Sequence, residues 1–307
     1  MMEDEAIRDY RLHSGMTVAE LLRQMKDSWG FTASKIAVGA EILRRMINDR
    51  ECLKFLSFPA CIVATGTRGV IREMIRRRFI DAIITTCGTL DHDLARCWRN
   101  YYRGSFYMDD AELHRKGVNR LGNILVPNES YGLIIEEKMQ RLLNDLWNEG
   151  IRELSTRELC WEIGRRICNQ DSILYWAEKN RIPVYVPGIT DGAVGYQLWL
   201  FSQDHDFRID ILKDEQELND MIFESKRTGA LLIGGGISKH HVIWWNQFKN
   251  GLDYAVYITT AVEWDGSLSG ARMREAVSWG KVKETASRVT IEGDATVILP
   301  LMIASLL

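Results

Sequence analysis

Five apolar runs recur along the chain, and each closes on glycine or threonine before a stretch with helical periodicity. The runs lie within the segments ACIVATGTRG, IDAIITTCG, IPVYVPGITDGAVG, ALLIGGG and YAVYITTA. Continuous apolar strands are typical of parallel sheets buried on both faces, and parallel strands need crossover connections, usually helices. The pattern therefore predicts an α/β fold: a doubly wound, mostly parallel Rossmann-like sheet with helices on both faces.

Helices are predicted before the first run and between the second and third. Thr17 and Glu20 have the T-x-x-E spacing of a capping box ahead of an amphipathic run, so we expect extra N-terminal helices. Ser155 and Glu158 form a second such box, within a helical insertion at about residues 131–180.

The length of 307 residues permits one large α/β domain. We interpret residues 1–307 as a single domain, with a helical N-terminal segment at 1–50 and an α/β core at 51–307.

Composition excludes several classes of function. A net charge of −3 favours neither nucleic acid nor an anionic membrane. The apolar C-terminal run ATVILPLMIASLL is too short to span a bilayer, so we expect a strand or helix packed inside the protein. Six cysteines without a CxxC pair or zinc-type histidine spacing predict reduced thiols, a cytoplasmic location and no metal site.

A ligand is expected at the carboxyl ends of the strands, where parallel α/β sheets bind theirs. These ends carry small hydroxyl residues and glycines, which let a backbone approach a pyrophosphate: Thr65–Gly66, Thr85–Gly88, Thr190–Gly192, Gly234–Gly236 and Thr259–Thr260. They indicate a nucleotide-type ligand. The alternative is that these glycine and threonine residues only form tight turns between strands and helices. The chain lacks G-x-G-x-x-G and the P-loop motif, so such a site departs from the standard fingerprints.

Candidate chemistry is concentrated in the segment TTAVEWDGSLSGARMREAVSWGK. Lys281 follows Trp279 and Gly280, and burial beside an indole would lower the pKa of a lysine and make it a nucleophile. The alternative is a surface lysine placed after the C-terminal glycine of a helix.

His240 and His241 follow a glycine turn, and at most one of two adjacent helical residues is expected to face a site. In the DHD triplet, Asp91 has a sufficient role in stabilising a helix N-terminus.

Several longer segments resemble the deoxyhypusine synthase family, in its archaeal type. The resemblance is carried by GGGISKHH, NGLDYAVYITTAVEWDGSLSGARMREAVSWGK, GVNRLGNILVPNESY, TTCGTLDHDLARC, ITDGAVG and EGDATVILPL. It implies an enzyme that uses NAD to oxidise spermidine and carries the 4-aminobutyl group on an active-site lysine as an imine. The group then passes to one lysine of the translation initiation factor 5A precursor, where the imine is reduced. The resemblance also implies a homotetramer with active sites at subunit interfaces.

The resemblance assigns roles to individual residues. Lys281 is implied as the covalent lysine and His240 as the proton acceptor. The other residues implied to bind substrate are Glu275, Trp279, Gly235, Gly266, Ser267 and Asp91. The residues implied to bind NAD are Thr65, Gly66, Thr86, Cys87, Gly88, Asp191, Thr260, Ala261, Asp265, Asp294 and Ala295.

Four positions depart from the polar residues of the better-known eukaryotic members: His92, Tyr196, Trp244 and Leu268. Each change removes a polar group near the expected polyamine site. Aromatic faces can replace part of the lost cation binding. The departures leave open the alternative that the chain is a related aminobutyl transferase with another amine donor or acceptor, such as a homospermidine synthase-like or agmatine-using enzyme. A non-catalytic NAD-binding protein is a further alternative.

Overall fold

The computed structural model describes residues 6–307. The first five residues of the predicted N-terminal segment lie outside the described part of the chain. Contacts divide the chain into two compact units. Unit 1 combines the chain up to Leu56 with Ile222–Leu307, and unit 2 is Ser57–Met221. The assignment of all of 1–307 to one domain stays a prediction.

Helices and strands alternate along most of the described chain. The α-helices are α1 (Val18–Asp27), α2 (Ala33–Asn48), α3 (Thr67–Arg76), α4 (Cys87–Trp98), α5 (Asp110–Arg115), α6 (Gly132–Asn148), α7 (Thr156–Ile167), α8 (Ile173–Lys179), α9 (Ala193–Asp204), α10 (Ile211–Glu224), α11 (Gly236–Gln247), α12 (Met273–Ser278) and α13 (Ala295–Ala304). The strands are β1 (Cys52–Ser57), β2 (Ala82–Ile84), β3 (Tyr102–Arg103), β4 (Val118–Leu121), β5 (Ile124–Pro127), β6 (Glu153–Leu154), β7 (Val184–Tyr185), β8 (Arg208–Ile209), β9 (Arg227–Ile233), β10 (Leu252–Thr259) and β11 (Val282–Glu292).

The strands of unit 1 lie in the order β11-β10-β9-β1, and β10 pairs parallel with both β9 and β11. Successive residues of a strand point to opposite faces. A Cβ on Gly39 of α2 would lie 3.4 Å from Val256. On the other face, Lys239 of α11 lies with its Nζ 3.8 Å from the centre of the Tyr257 ring. Helices therefore cover both faces, which confirms the predicted α/β class.

Unit 2 has β2 and β7 as a parallel pair. It also holds a small antiparallel sheet in the order β3-β5-β4, which the sequence did not predict. The predicted helical insertion contains α6, α7 and α8. Its capping box is present in both directions between Ser155 and Glu158. At the start of α1 only half of the predicted box forms, because the Glu20 carboxylate bonds His13 instead.

The prediction of a strand at ACIVA is wrong. Residues Ala60–Ala64 form a 3-10 helix, and the strand lies earlier, at Cys52–Ser57. Pro59 has no N–H to donate to a sheet at this point. Lys54 interrupts the apolar pattern of the true strand, yet it is buried and its Nζ donates to the Cys52 carbonyl at 2.8 Å.

The apolar C-terminal run is the helix α13, with Pro300 inside it and Ile298, Leu299, Met302 and Ile303 buried. Across residues 6–307, no helix has both the length and the hydropathy needed to cross a membrane.

Candidate active site

Lys281 occupies a defined position just beyond the end of α12. Gly280 has φ +68°, and its N–H donates to the Val277 carbonyl. The Lys281 N–H donates to the Ala276 carbonyl at 3.0 Å, which completes the Schellman pattern of a helix C-terminus. This geometry is that of a lysine after the C-terminal glycine of a helix, as in the alternative stated above. Lys281 is not on the surface, however, because it is only 8% exposed.

Gly251 makes room for the Lys281 backbone. A Cβ at this glycine would lie 2.8 Å from the Lys281 carbonyl carbon and 2.7 Å from the Val282 nitrogen. The position also has φ +88°, so any larger residue would be strained as well as crowded. This turn brings the start of β10 against the lysine, with the Leu252 N–H donating to the Lys281 carbonyl.

Two indole rings flank the amine of Lys281. Its Nζ lies 5.2 Å from the centre of the Trp279 ring and 5.8 Å from that of Trp244. Both distances are within the range of cation–π attraction. Trp279 is 66% exposed and Trp244 42% exposed, so the rings form walls that are themselves open to solvent.

The amine faces a cavity of about 260 Å³ within unit 1. The cavity brings together six of the predicted residues: His240, Gly266, Ser267, Glu275, Trp279 and Lys281. Leu268, one of the four departures, also lines it. Gly235 lies behind this wall, where a Cβ would stand 2.1 Å from the Ser269 hydroxyl.

His240 is suited to accept a proton. Burial lowers its pKa, and the positive charge of Lys281 and the neighbouring His241 lower it further. A neutral imidazole is the form that a general base requires. Its ring stacks on Trp244, with centroids 5.7 Å apart and planes 26° apart.

Two cavity-lining cations were not predicted from the sequence as parts of the site. Arg272 is 7% exposed, and its Nη1 donates to the Ala261 and Gly270 carbonyls. Lys239 is 1% exposed, and its Nζ donates to the Leu268 and Ala271 carbonyls at 2.7 Å each. Their only sequence signal is proximity to the glycine motifs, because burial of a charged residue leaves no local pattern.

The predicted cofactor residues of unit 1 lie after the ends of β10 and β11. Thr260 and Ala261 follow β10 directly, and Asp265 accepts a hydrogen bond from the Ser267 N–H at 2.7 Å. Asp294 caps α13 by accepting from the Thr296 N–H. Ala295 is the first residue of that helix.

Asp91 of unit 2 is fully buried in α4. Its oxygens accept the Tyr131 hydroxyl at 2.7 Å and the backbone N–H groups of Ala193 and Val194 at 2.9 and 2.8 Å. Burial raises its pKa, and these hydrogen bonds oppose the rise. The carboxylate therefore caps α9; its predicted contact with substrate stays a proposal.

The predicted cofactor residues of unit 2 lie at helix starts and turns. Thr86 precedes α4 without a side-chain capping bond, and Cys87 and Gly88 begin that helix. The residues at the other turns are Thr65, Gly66 and Asp191.

Two of the departures also lie in unit 2. His92 packs with Tyr101 and Tyr131, and burial lowers its pKa to about 4, so its ring is neutral. Tyr196 is 55% exposed on α9.

Comparison with known proteins identifies the family. The family model described as deoxyhypusine synthase matches residues 20–306. A protein of Picrophilus torridus named "Probable deoxyhypusine synthase" is 58% identical over 304 residues, covering 99% of this chain and 97% of its own. One of the same name from Thermoplasma acidophilum is 54% identical, with 98% and 97% covered.

A crystal structure from Entamoeba histolytica, assigned to deoxyhypusine synthase, covers 97% of this chain and 96% of its own with a TM-score of 0.67. At 18% identity this likeness supports the fold. The match of the family model and the identity over nearly the whole length carry the assignment: the chain belongs to the deoxyhypusine synthase family of enzymes.

Proposed function

We propose that this enzyme transfers the 4-aminobutyl group of spermidine to one lysine of the translation initiation factor 5A precursor, forming deoxyhypusine. The observation that carries the proposal is the nearly buried Lys281, which lies between two indole rings in a cavity with His240 and Glu275. Family membership indicates the reaction. The cavity contains a candidate nucleophile, a candidate base and a carboxylate that can bind a substrate ammonium.

Lys281 acts as the carrier. Lys281 loses a proton, its Nζ attacks the imine carbon formed from spermidine, and the C–N bond to the rest of the polyamine breaks. That remainder takes up the proton and leaves as a diamine. The 4-aminobutyl group stays on Lys281 as an imine, from which the amine of the acceptor lysine displaces it.

His240 and Glu275 prepare the substrate. His240, neutral because its pKa is lowered, accepts the proton that the substrate amine loses. Glu275 provides the carboxylate that holds a terminal ammonium at the cavity. Trp279 offers its ring face to the same cationic chain, worth about 0.5–2 kcal/mol.

NAD is the proposed cofactor, and the residues present are compatible with it. The helices α4 and α11 begin without a side-chain capping bond, whereas α13 is capped by Asp294. Uncapped N–H groups at a helix start are suited to a phosphate. In unit 1 the residues that would hold it are Thr260, Ala261, Asp265, Asp294 and Ala295. In unit 2 they are Thr65, Gly66, Thr86, Cys87, Gly88 and Asp191. When bound, NAD would accept a hydride from the amine and return it to the final imine.

The proposal extends to the oligomeric state of the protein and to its location in the cell. We infer a homotetramer in which a neighbouring subunit completes the site. The 86% exposure of Trp264, beside Asp265, supports an additional partner at this surface. Light scattering of the purified protein tests the tetramer. All six cysteines lie within residues 6–307 and are reduced thiols there, which supports the cytoplasm as its location.

The decisive experiment combines the protein with NAD, spermidine labelled in its butyl carbons, and the factor 5A precursor. We expect label on a single lysine of the precursor. Absence of label from the precursor, with NAD binding demonstrated separately, would exclude the proposal.

Identity to proteins named deoxyhypusine synthase favours this reaction over the other amine transfers. Borohydride trapping separates them, because a guanidino-bearing adduct on Lys281 has a different mass from an aminobutyl one.

A further inference from the structure

Lys239 is a buried amine that the proposed reaction does not use. It belongs to the GGGISKHH motif, on the first turn of α11, and is 1% exposed. Burial of an amine this deep is costly unless its hydrogens are bonded. Here Nζ donates to the Leu268 and Ala271 carbonyls at 2.7 Å each and lies 3.8 Å from the centre of the Tyr257 ring.

The two carbonyl partners belong to one loop, Gly266–Ala271, which forms part of the wall of the Lys281 cavity. The centre of the loop is held from β10, since the Tyr257 hydroxyl donates to the Ser269 carbonyl at 2.6 Å. Lys239 holds the loop on either side of Ser269. Within the loop, the Gly270 and Ala271 N–H groups donate to the Ser267 carbonyl.

Lys239 is poorly placed to be a second nucleophile. Its pKa is lowered to about 7, chiefly by burial, with Glu275 opposing and the charges of Arg272 and Lys281 adding to the effect. A neutral lysine would be reactive if it were accessible. Its Nζ, however, is enclosed by two carbonyls and an aromatic face, whereas Lys281 reaches the cavity beside two indoles that are open to solvent.

We propose that Lys239 is a positioning residue that holds the loop Gly266–Ala271 in the conformation required for chemistry at Lys281. The inference rests on the proposed function for its catalytic consequence. Its structural part, the restraint on the loop, can be measured without activity. Lys239 bonds backbone carbonyls, so its restraint on the loop does not depend on the side chain at Leu268, one of the four departures noted in the sequence.

The test compares Lys239→Met with a matched control, Lys249→Met. Lys249 also donates from Nζ to two backbone carbonyls, those of Ile222 at 2.7 Å and Phe223 at 3.2 Å, but it does not line the cavity. Two measurements are made on each protein: hydrogen exchange of the backbone amides in residues 267–272, and the rate of adduct formation on Lys281 under borohydride.

For Lys239→Met we expect exchange of these amides to accelerate about tenfold or more, because two hydrogen bonds that hold the loop are lost. We expect adduct formation to slow at least about tenfold, since small displacements of reacting groups cost large factors in rate. Lys249→Met should leave both measurements within about twofold of the unmodified protein.

Unchanged loop exchange in Lys239→Met would overturn the inference, whatever the activity. Equal effects of the two lysine variants would also overturn it, since they would indicate general destabilisation. If Lys239→Met does not fold, Tyr257→Phe removes one bond to the same loop and should show both effects to a smaller degree. Failure of the unmodified protein to form any adduct would instead refute the proposed function.

Discussion

The imidazole of His240 stacks on the indole of Trp244, with ring centroids 5.7 Å apart and planes inclined by 26°. The two residues are one helical turn apart on α11, so they share a face. The same indole lies 5.8 Å from the Lys281 Nζ. Trp244 thus contacts the proposed base and the proposed nucleophile at once, and it is one of the four departures noted in the sequence.

Replacing Trp244 should weaken the binding of the amine substrate. A ring face is worth about 0.5–2 kcal/mol to a cation, which corresponds to about 2- to 30-fold in affinity. We expect Trp244→Leu to raise the KM for spermidine by a factor in this range, and Trp244→Phe to retain most of the affinity. Steady-state kinetics with spermidine as the varied substrate provide the measurement. Equal KM values for the Leu and Phe variants would contradict a role for the aromatic face.

The charge of Lys281 should be visible in the titration of His240. Burial and this charge both hold the pKa of the histidine below its ordinary value of 6.5. Removing the charge with Lys281→Met should therefore raise the pKa of His240, and the titration of its ring protons by NMR reports the change. Lys283→Met is the control, because Lys283 pairs with Asp253 at 2.6 Å. An unchanged pKa in Lys281→Met would show that the two groups do not interact.

Loss of the Lys281 amine should abolish transfer without abolishing cofactor binding. In Lys281→Ala we expect no trapped adduct and no label on the precursor, since no other amine replaces the covalent carrier. NAD binding, measured by calorimetry, should stay near that of the unmodified protein. Lys283→Ala should retain transfer. Label transferred by the Lys281 variant would show that the carrier is another residue.

Asp91→Asn should destabilise unit 2. The carboxylate accepts three hydrogen bonds, and an amide NH2 in place of one oxygen leaves a backbone N–H of α9 unpaired. A buried donor left without a partner costs about 1–3 kcal/mol. Urea unfolding should show this loss, and the exposed Asp204→Asn should not. A variant with unchanged stability but weaker spermidine binding would instead favour the substrate role proposed for Asp91.

The DHD triplet illustrates where sequence reasoning stops. The sequence interpretation placed its aspartates at the start of their own helix, whereas in the structure they bond the N-termini of two other helices. Asp91 caps α9, and Asp93 accepts the Ile173 and Leu174 N–H groups at the start of α8. Both carboxylates lie within α4 and are fully buried. No local pattern reports which distant helix start lies against a given side chain.

The sequence by itself determined the class of the fold, and it proposed residues for the site. Apolar runs and helical periodicity are local properties, so they indicated β9 and β10 of unit 1, β2 and β7 of unit 2, and the helices of the insertion. They did not locate β1 or β11. The motif ending in SWGK likewise singled out Lys281 through its resemblance to the family.

Only the tertiary structure decided which lysines are buried and what their amines contact. Lys239 meets carbonyls 29 and 32 residues away, and Lys281 is enclosed by α11 and α12 together. Burial arises from the packing of distant segments, and it sets the accessibility of an amine. Two lysines of equal intrinsic chemistry therefore acquire different proposed roles: Lys281 as the nucleophile, and Lys239 as the residue that holds the loop beside it.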